Sequence, residues 1–317
     1  MLVDVAPPLP FRSGVVQRRR GRGRRLLEGA TPYLYLFPAC LFLGFFVYKP
    51  LIATFQYSFD NWNLVPSSPR IFVGWSNYST VLRKPAMWEA LGVTGMYILG
   101  MLTFGVALPL AIGGLTQQVG QRSRAVYRGL IFVPVLVSPI VAATLWNFLL
   151  APNGGLVNRV LSAFGIGAVN WLVHPDSARA AIVLIAGWKI VGFSALIVSA
   201  GLAGINFDYY EAAAVDGAKR WQVFRKVTLP LLSPTIVFLV ITVVLLSSQI
   251  IFPLINSLTQ GGPTNSTTDI YYFLYSYGFT SFDVGVASAA AVMFFFLFGS
   301  IALGLTRLID RFSFYDN

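Results

Sequence analysis

DYYEAAAVDGAKRWQVFRKVTLP, residues 208–230, is the longest strongly polar run between the apolar stretches of this chain, and it carries Lys219, Arg220, Arg225 and Lys226. It begins like a helix. Asp208 followed three residues later by Glu211 is a capping-box pattern, which satisfies two N–H groups that a helix start leaves unpaired. Four alanines between Tyr209 and Ala218 favour the helix and add little bulk. Asp216 precedes Arg220 by four residues, a stabilising pair if both share one helical face. Gly217 weakens or bends the helix. A second short helix is expected from about Trp221 to Val227, with Pro230 tolerated as the first residue of the apolar stretch that follows. A slim helix flanked by bases suits docking into a groove on a soluble partner. An amphipathic helix resting on a lipid surface is the plainer reading of the same residues.

The rest of the chain is apolar enough to place that run between membrane spans. Of 317 residues, 56% are hydrophobic and 11% charged, where a soluble domain carries about 25% charged residues. A span needs about 20 apolar residues to cross about 30 Å of hydrocarbon. Six such stretches are expected, at about Tyr33–Phe55, Trp88–Leu115, Leu130–Leu150, Ala180–Ala203, Leu231–Ile255 and Val284–Thr306. The third contains Pro134 and Pro139, tolerated where neighbouring helices satisfy the freed carbonyls. Lys49 at the end of the first span can snorkel to the interface. Residues 1–30 read as a basic, disordered tail in which Arg18, Arg19, Arg20, Arg22, Arg24 and Arg25 cluster; residues 31–317 read as one membrane domain, with 206–230 as its polar loop.

Six spans put both termini on one face. Sixteen of the 23 bases then lie on that face, in the tail, the 117–128 loop, the 206–230 loop and the C-terminus, against five in the opposite loops. This asymmetry makes both termini and the 206–230 loop cytoplasmic, and it accounts for the net charge of +11 without a nucleic-acid partner.

Catalytic chemistry is missing. One cysteine, Cys40, and one histidine, His174, exclude a disulfide framework and a Cys/His metal cluster. No G-x-x-x-x-G-K-[ST] phosphate loop, nucleophile elbow or H-E-x-x-H motif is present. Polar residues inside spans are the remaining candidates, because they are costly there. Lys189, preceded by Trp188 and followed by Ser194, can bind hydroxyls or a phosphate, while Trp188 can stack on a sugar face; equally, Lys189 can snorkel to the outer interface. Tyr97, Trp146, Asn147, Gln249 and Asn256 can line a solute cavity or hydrogen-bond a neighbouring helix.

Two local patterns carry a resemblance. Glu211-Ala212-Ala213, then Gly217, then Leu229-Pro230, resembles the EAA loop of permease subunits of ATP-binding-cassette importers, and EAAAVDGA followed by Phe224, Val227 and LPLLSP is similar to the sugar-importer branch. That family often has a proline shortly before the EAA. Here Ile205-Asn206-Phe207-Asp208 stands in that place, so the helix start rests on Asp208 or Asn206. The segment LTQGGPTNSTT, residues 258–268, reads as a tight outer turn and resembles the T-x-G-G-P-x-x-S/T-T-T segment of sugar-type permeases.

The resemblance extends from about residue 30 onward and implies an all-α, six-span type I importer fold. It implies ATPase coupling through Glu211, Ala212, Ala213, Asp216, Gly217 and Ala218, and it implies no enzyme activity or cofactor in this chain, ATP and Mg being held by a separate ATPase. Implied partners are a second related permease, two ATPase subunits, an extracytoplasmic solute-binding protein and the bilayer of a bacterial-type cytoplasmic membrane. The implied solute is a sugar, an oligosaccharide, a glycerol phosphate or its diester. An ion-coupled transporter or channel is the alternative; it calls for intramembrane carboxylates, and the third to sixth spans contain no Asp or Glu.

Overall fold

The computed structural model describes the backbone of residues 22–116 and 121–312. Arg18, Arg19 and Arg20 of the expected tail lie outside the described residues. The chain divides into two units, Met1–Ala53 and Thr54–Asn317.

In the first unit, helix α1 spans Arg22–Leu43. Its start corrects the disordered tail expected up to residue 30: Arg24, Arg25, Leu26, Leu27 and Glu28 are good helix formers and extend the apolar helix backward. Its side chains from Tyr33 to Leu43 are exposed. The Lys49 ammonium lies 4.6 Å from the centroid of the Phe45 ring.

Helix α2 (Lys49–Tyr57) leads into the second unit, where strands β1 (Asp60–Asn61) and β2 (Ile71–Phe72) form a small antiparallel pair with Asp60 opposite Phe72. The helices that follow are α3 (Ser76–Arg83), α4 (Pro85–Leu102), α5 (Leu108–Thr116), α6 (Gln121–Leu136), α7 (Pro139–Leu149) and α8 (Leu156–Ala163). They continue as α9 (Pro175–Ala203), α10 (Asp208–Val215), α11 (Arg220–Val223), α12 (Leu229–Leu231), α13 (Ser233–Leu258), α14 (Ile270–Tyr275) and α15 (Val284–Phe312).

Three of the four π-helical turns among the described residues, Gly44–Tyr48, Thr103–Ala107 and Phe224–Thr228, each end two residues before a proline, at Pro50, Pro109 and Pro230; the fourth, Ser276–Thr280, has none. A proline ring crowds the carbonyl four residues back and offers it no N–H. Widening the turn moves that carbonyl aside, and the N–H of Lys49, Leu108 or Leu229 bonds five residues back instead. The helices therefore run on through their prolines.

Among the described residues, five helical stretches are long and apolar enough to cross a membrane: Tyr33–Tyr57, Pro85–Gly113, Pro175–Ala203, Ser233–Leu258 and Val284–Gly304. The third expected span departs from this pattern. It is a broken pair, Gly129–Leu136 and Pro139–Leu149, bent by 105°. Ser138 caps the second half, its Oγ accepting from the Val141 N–H, and Pro139 follows at the first helical position.

Helix α9 is the axis of the second unit and packs against α6, α13, α5 and α4. Ile182, Ile185 and Ile190 of α9 meet Leu239, Val243 and Ile251 of α13 in the main core. Gly192 lets α9 touch α6 backbone to backbone; a Cβ there would sit 2.1 Å from the Ile131 carbonyl oxygen. A second cluster joins α3, α4, α14 and α15 through Val81, Met87, Phe273, Val286 and Phe294.

Residues 258–268 are more than a surface turn. Gln260, Gly261, Thr264 and Asn265 have positive φ, and Thr267 is buried. Thr267 Oγ1 lies 2.8 Å from Thr259 Oγ1 and donates to the Gly262 carbonyl at 2.8 Å. Tyr97 Oη of α4 donates to the Thr267 carbonyl (3.3 Å), and Arg179 Nε of α9 donates to the Ser266 carbonyl (2.7 Å). Tyr97 thus serves a helix-to-loop bond rather than a cavity. Buried irregular backbone needs such partners, and neighbouring helices supply them here.

Candidate functional site

The 206–230 loop folds as two helical pieces around Gly217. The Asp208–Glu211 capping box does not form. Asp208 is already helical, and Asn206 sets the start: its Oδ1 accepts the Asp208 N–H (3.2 Å), and its Nδ2 donates to Asp208 Oδ2 (2.9 Å). At the other end Gly217 takes φ +68°, a left-handed conformation that costs a side-chain-bearing residue about 1–2 kcal/mol. The Ala218 N–H then bonds the Ala213 carbonyl (3.0 Å) and the Gly217 N–H bonds the Ala214 carbonyl (3.1 Å), which is a Schellman closure. Gly217 therefore ends the helix rather than bending it. Asp216 and Arg220 stand on opposite sides of that end and do not share the helical face their spacing implied. The second piece starts at Arg220, where Gln222 Oε1 accepts the Lys219 N–H at 2.7 Å, and it continues through the π turn to Thr228, longer than the expected Trp221–Val227.

One side of α10 is tied down. Ala213 is buried, and Thr228 Oγ1 donates to Tyr210 Oη at 3.4 Å. The other side is open. Glu211, Ala212, Asp216 and Gly217 are exposed, and Ala218 is half-buried. Apolar side chains stand out around them: Phe207 is 67% exposed, Val215 88% and Trp221 66%. A short rigid helix with a small-residue face and a rim of solvent-facing apolar groups is a surface suited to contact.

The second candidate lies at the break between α6 and α7. Lys189 is only 5% exposed, so it does not snorkel. Its Nζ donates to the carbonyls of Pro134 (3.3 Å) and Val137. The last carbonyls of a helix have no intrahelical donors and form the negative end of its dipole, so a cation there stabilises the break. Lys189 also lines a cavity of about 440 Å3 together with Gln249, Ser138 and Phe193. An ammonium has three N–H groups, and two acceptors leave one for a ligand.

The other predicted positions are not brought to this cavity. Trp146 and Trp188 pack edge to face at 5.7 Å. Trp146 Nε1 and Ser194 Oγ are buried, with no hydrogen-bond partner among the described residues. Asn147 on α7 and Asn256 on α13 are exposed. His174 precedes α9 and makes no side-chain cap.

Sequence reasoning missed two anchors. One is the Ser138-Pro139 helix-start signal inside the third span. The other is Asn158, buried in the 151–174 segment, where its Nδ2 donates to the carbonyls of Ala151 (3.2 Å) and Val169 (3.1 Å) and its Oδ1 accepts from Trp171 Nε1 (3.1 Å). An asparagine in a loop gives no periodic signal to mark it.

The family described as "Binding-protein-dependent transport system inner membrane component" matches residues 105–314. The chain belongs to that family. This permease is 32% identical over 271 residues to the trehalose/maltose transport system permease protein MalF of Thermococcus litoralis, covering 85% of this chain and 90% of that one. It is 31% identical over 283 residues to the sn-glycerol-3-phosphate transport system permease protein UgpA of Pectobacterium atrosepticum, covering 89% and 93%. Among solved structures it resembles a chain of a bacterial ABC transporter involved in the import of the acidic polysaccharide alginate, with a TM-score of 0.80 and 26% identity over 92% of this chain and 100% of that one. A second structure of the alginate transporter, in complex with its pentasaccharide-bound periplasmic protein, matches with a TM-score of 0.76 at 25% identity, over 90% and 96%. The type I importer permease fold and the transport role follow from this membership, and the chain is a transport component rather than an enzyme. The alternative of an ion-coupled carrier or channel is set aside.

Proposed function

We propose that this permease imports a sugar, an oligosaccharide or a glycerol-phosphate-type solute, driven by ATP hydrolysed on a separate chain that docks on residues 206–230. The observation that carries this reading is the exposed helix Asp208–Val215, closed at Gly217 and ringed by Phe207, Val215 and Trp221. Glu211, Ala212, Asp216, Gly217 and Ala218 form its contact region, with Glu211 available to basic residues of the ATPase and the small residues keeping the helix slim; Ala213, expected in the same surface, is buried against the bundle and seats the helix instead. Sixteen bases on the same face as this loop support a cytoplasmic position for it and for both termini, in a bacterial-type cytoplasmic membrane.

The names of the relatives support the solute class, and the alginate transporter's periplasmic protein supports an extracytoplasmic solute-binding partner. A second related permease completes the pathway, two ATPase subunits hold ATP and Mg, and closure of that pair rocks the spans between inward- and outward-facing states. Lys189 and Gln249 mark the solute path at the broken span; Trp146, Asn147, Trp188, Ser194 and Asn256 do not line that cavity and are candidates only for other parts of the path.

Gly217→Trp tests the docking role. The left-handed backbone at Gly217 excludes a large side chain without strain, and the residue is exposed, so the bundle itself is untouched. Uptake in whole cells is expected to fall by more than about tenfold, the loss that 1.4 kcal/mol of docking free energy brings, with the protein still in the membrane fraction. Solute-stimulated ATPase activity at the wild-type level in that variant contradicts the reading.

A further inference from the structure

Away from both candidate regions, the second unit carries an apolar groove of about 450 Å3. Tyr57, Leu64, Phe252, Tyr275 and Phe279 line it, together with Ala287 of α15. Three of these aromatics form a chain of contacts, Phe252 to Tyr275 at 5.4 Å and Tyr275 to Phe279 at 5.7 Å, and Phe279 is exposed.

Tyr57 brings a different chemistry. The Arg70 guanidinium lies over the Tyr57 ring at 4.8 Å and the Trp62 ring at 4.2 Å, and those two rings are 5.1 Å apart. Trp62 is itself held, its Nε1 donating to the Val65 carbonyl at 3.2 Å. Stacking fixes the cation without using its N–H donors. Arg70 is exposed, and among the described residues no carboxylate pairs with it. A mostly apolar trough whose lining residue Tyr57 carries a stacked guanidinium, with Trp62 beside it, fits an amphiphile with an anionic head. In a protein surrounded by bilayer, the abundant molecule of that shape is a phospholipid.

We propose that this groove holds an acyl chain of a bilayer phospholipid whose phosphate pairs with Arg70. The full chain, purified in mild detergent with the subunits that accompany it, is exchanged into nanodiscs of phosphatidylcholine containing phosphatidylglycerol and then released for native mass spectrometry. One phosphatidylglycerol per chain is expected to remain bound, and excess inorganic phosphate is expected to leave it in place. Arg70→Gln should lower the retained fraction about fivefold, the loss expected for one basic residue near a phosphate. Phe279→Ser, at an exposed lining position that leaves the core intact, should lower it as well. Retention equal to wild type in both variants overturns the proposal. So does displacement by inorganic phosphate alone, or a lipid-free chain whose groove cross-links to a neighbouring subunit.

Discussion

Asp269 sits where the 258–268 turn meets α14, 2% exposed, with its Oδ1 accepting the Tyr272 N–H at 2.8 Å. Burial raises its pKa from 3.8 to about 6, and the backbone N–H groups of Tyr272, Asp269 and Tyr271 offset only part of that rise. A carboxyl whose folded pKa lies above its unfolded value binds its proton more tightly in the fold. The folded state therefore gains stability as pH falls from about 6 toward 3.8, and the cost of the buried carboxylate is fully present above about 6. That cost is on the order of 2–3 kcal/mol, at 1.36 kcal/mol per pKa unit. Asp269→Asn keeps the acceptor for the Tyr272 N–H and removes the titration. Its apparent Tm, followed between pH 4 and pH 8 in detergent, should vary less than that of the wild type and exceed it at neutral pH. A wild-type curve that rises through the same window would contradict the assignment to Asp269.

At the scale of elements, the α6–α7 break depends on a side chain from α9. Lys189→Met keeps the volume and the apolar stem but leaves the carbonyls of Pro134 and Val137 without their donor. Each orphaned carbonyl costs on the order of 1 kcal/mol in a membrane interior. The variant should lose thermal stability, and Lys189→Arg, which restores donors, should recover part of it. Equal Tm values for all three proteins would show that the break holds without the cation. The same site shows what the sequence reveals and what it hides. Pro134, Pro139 and an intramembrane lysine are all visible in the sequence, and so is the rule that freed carbonyls need donors; which helix supplies the donor is a tertiary fact, 52 residues away at Val137 and Lys189. The six apolar stretches were readable because length and hydropathy decide them locally, but a 105° bend inside one leaves no trace in hydropathy. Gly217 was visible as a helix weakener, yet its role as a terminator depends on the Ala218-to-Ala213 bond that closes behind it. Asp208 and Glu211 matched a capping box by type and spacing, but Asn206 reached the Asp208 N–H first. The solute cavity was legible only as separate polar residues, because Lys189 and Gln249 share it through the packing of α9 on α13.

For the whole molecule, the reading requires that the α10 surface and the β1–β2 hairpin face opposite compartments. The number of passages decides this relation: from the hairpin to α10 the chain runs through α4–α5, the broken α6–α7 pair and α9, three passages if the bent pair counts as one. An odd number of passages reverses the side. If the bent pair were instead a re-entrant loop, two passages would return α10 to the hairpin side and the docking reading would fail. Cysteine labelling separates the two cases, since Cys40 is the single native thiol and Cys40→Ser removes it. Val215→Cys and Phe72→Cys place reporters at positions 88% and 75% exposed. A membrane-impermeant maleimide should modify the Phe72→Cys protein in spheroplasts and the Val215→Cys protein only in inverted vesicles. Vesicles that retain the accompanying ATPase should protect Val215→Cys from the reagent, and stripping that subunit should restore labelling. Modification of both positions from the same side would refute the through-membrane passage of the bent pair, and with it the transmission of force from a cytosolic ATPase to the spans through residues 206–230.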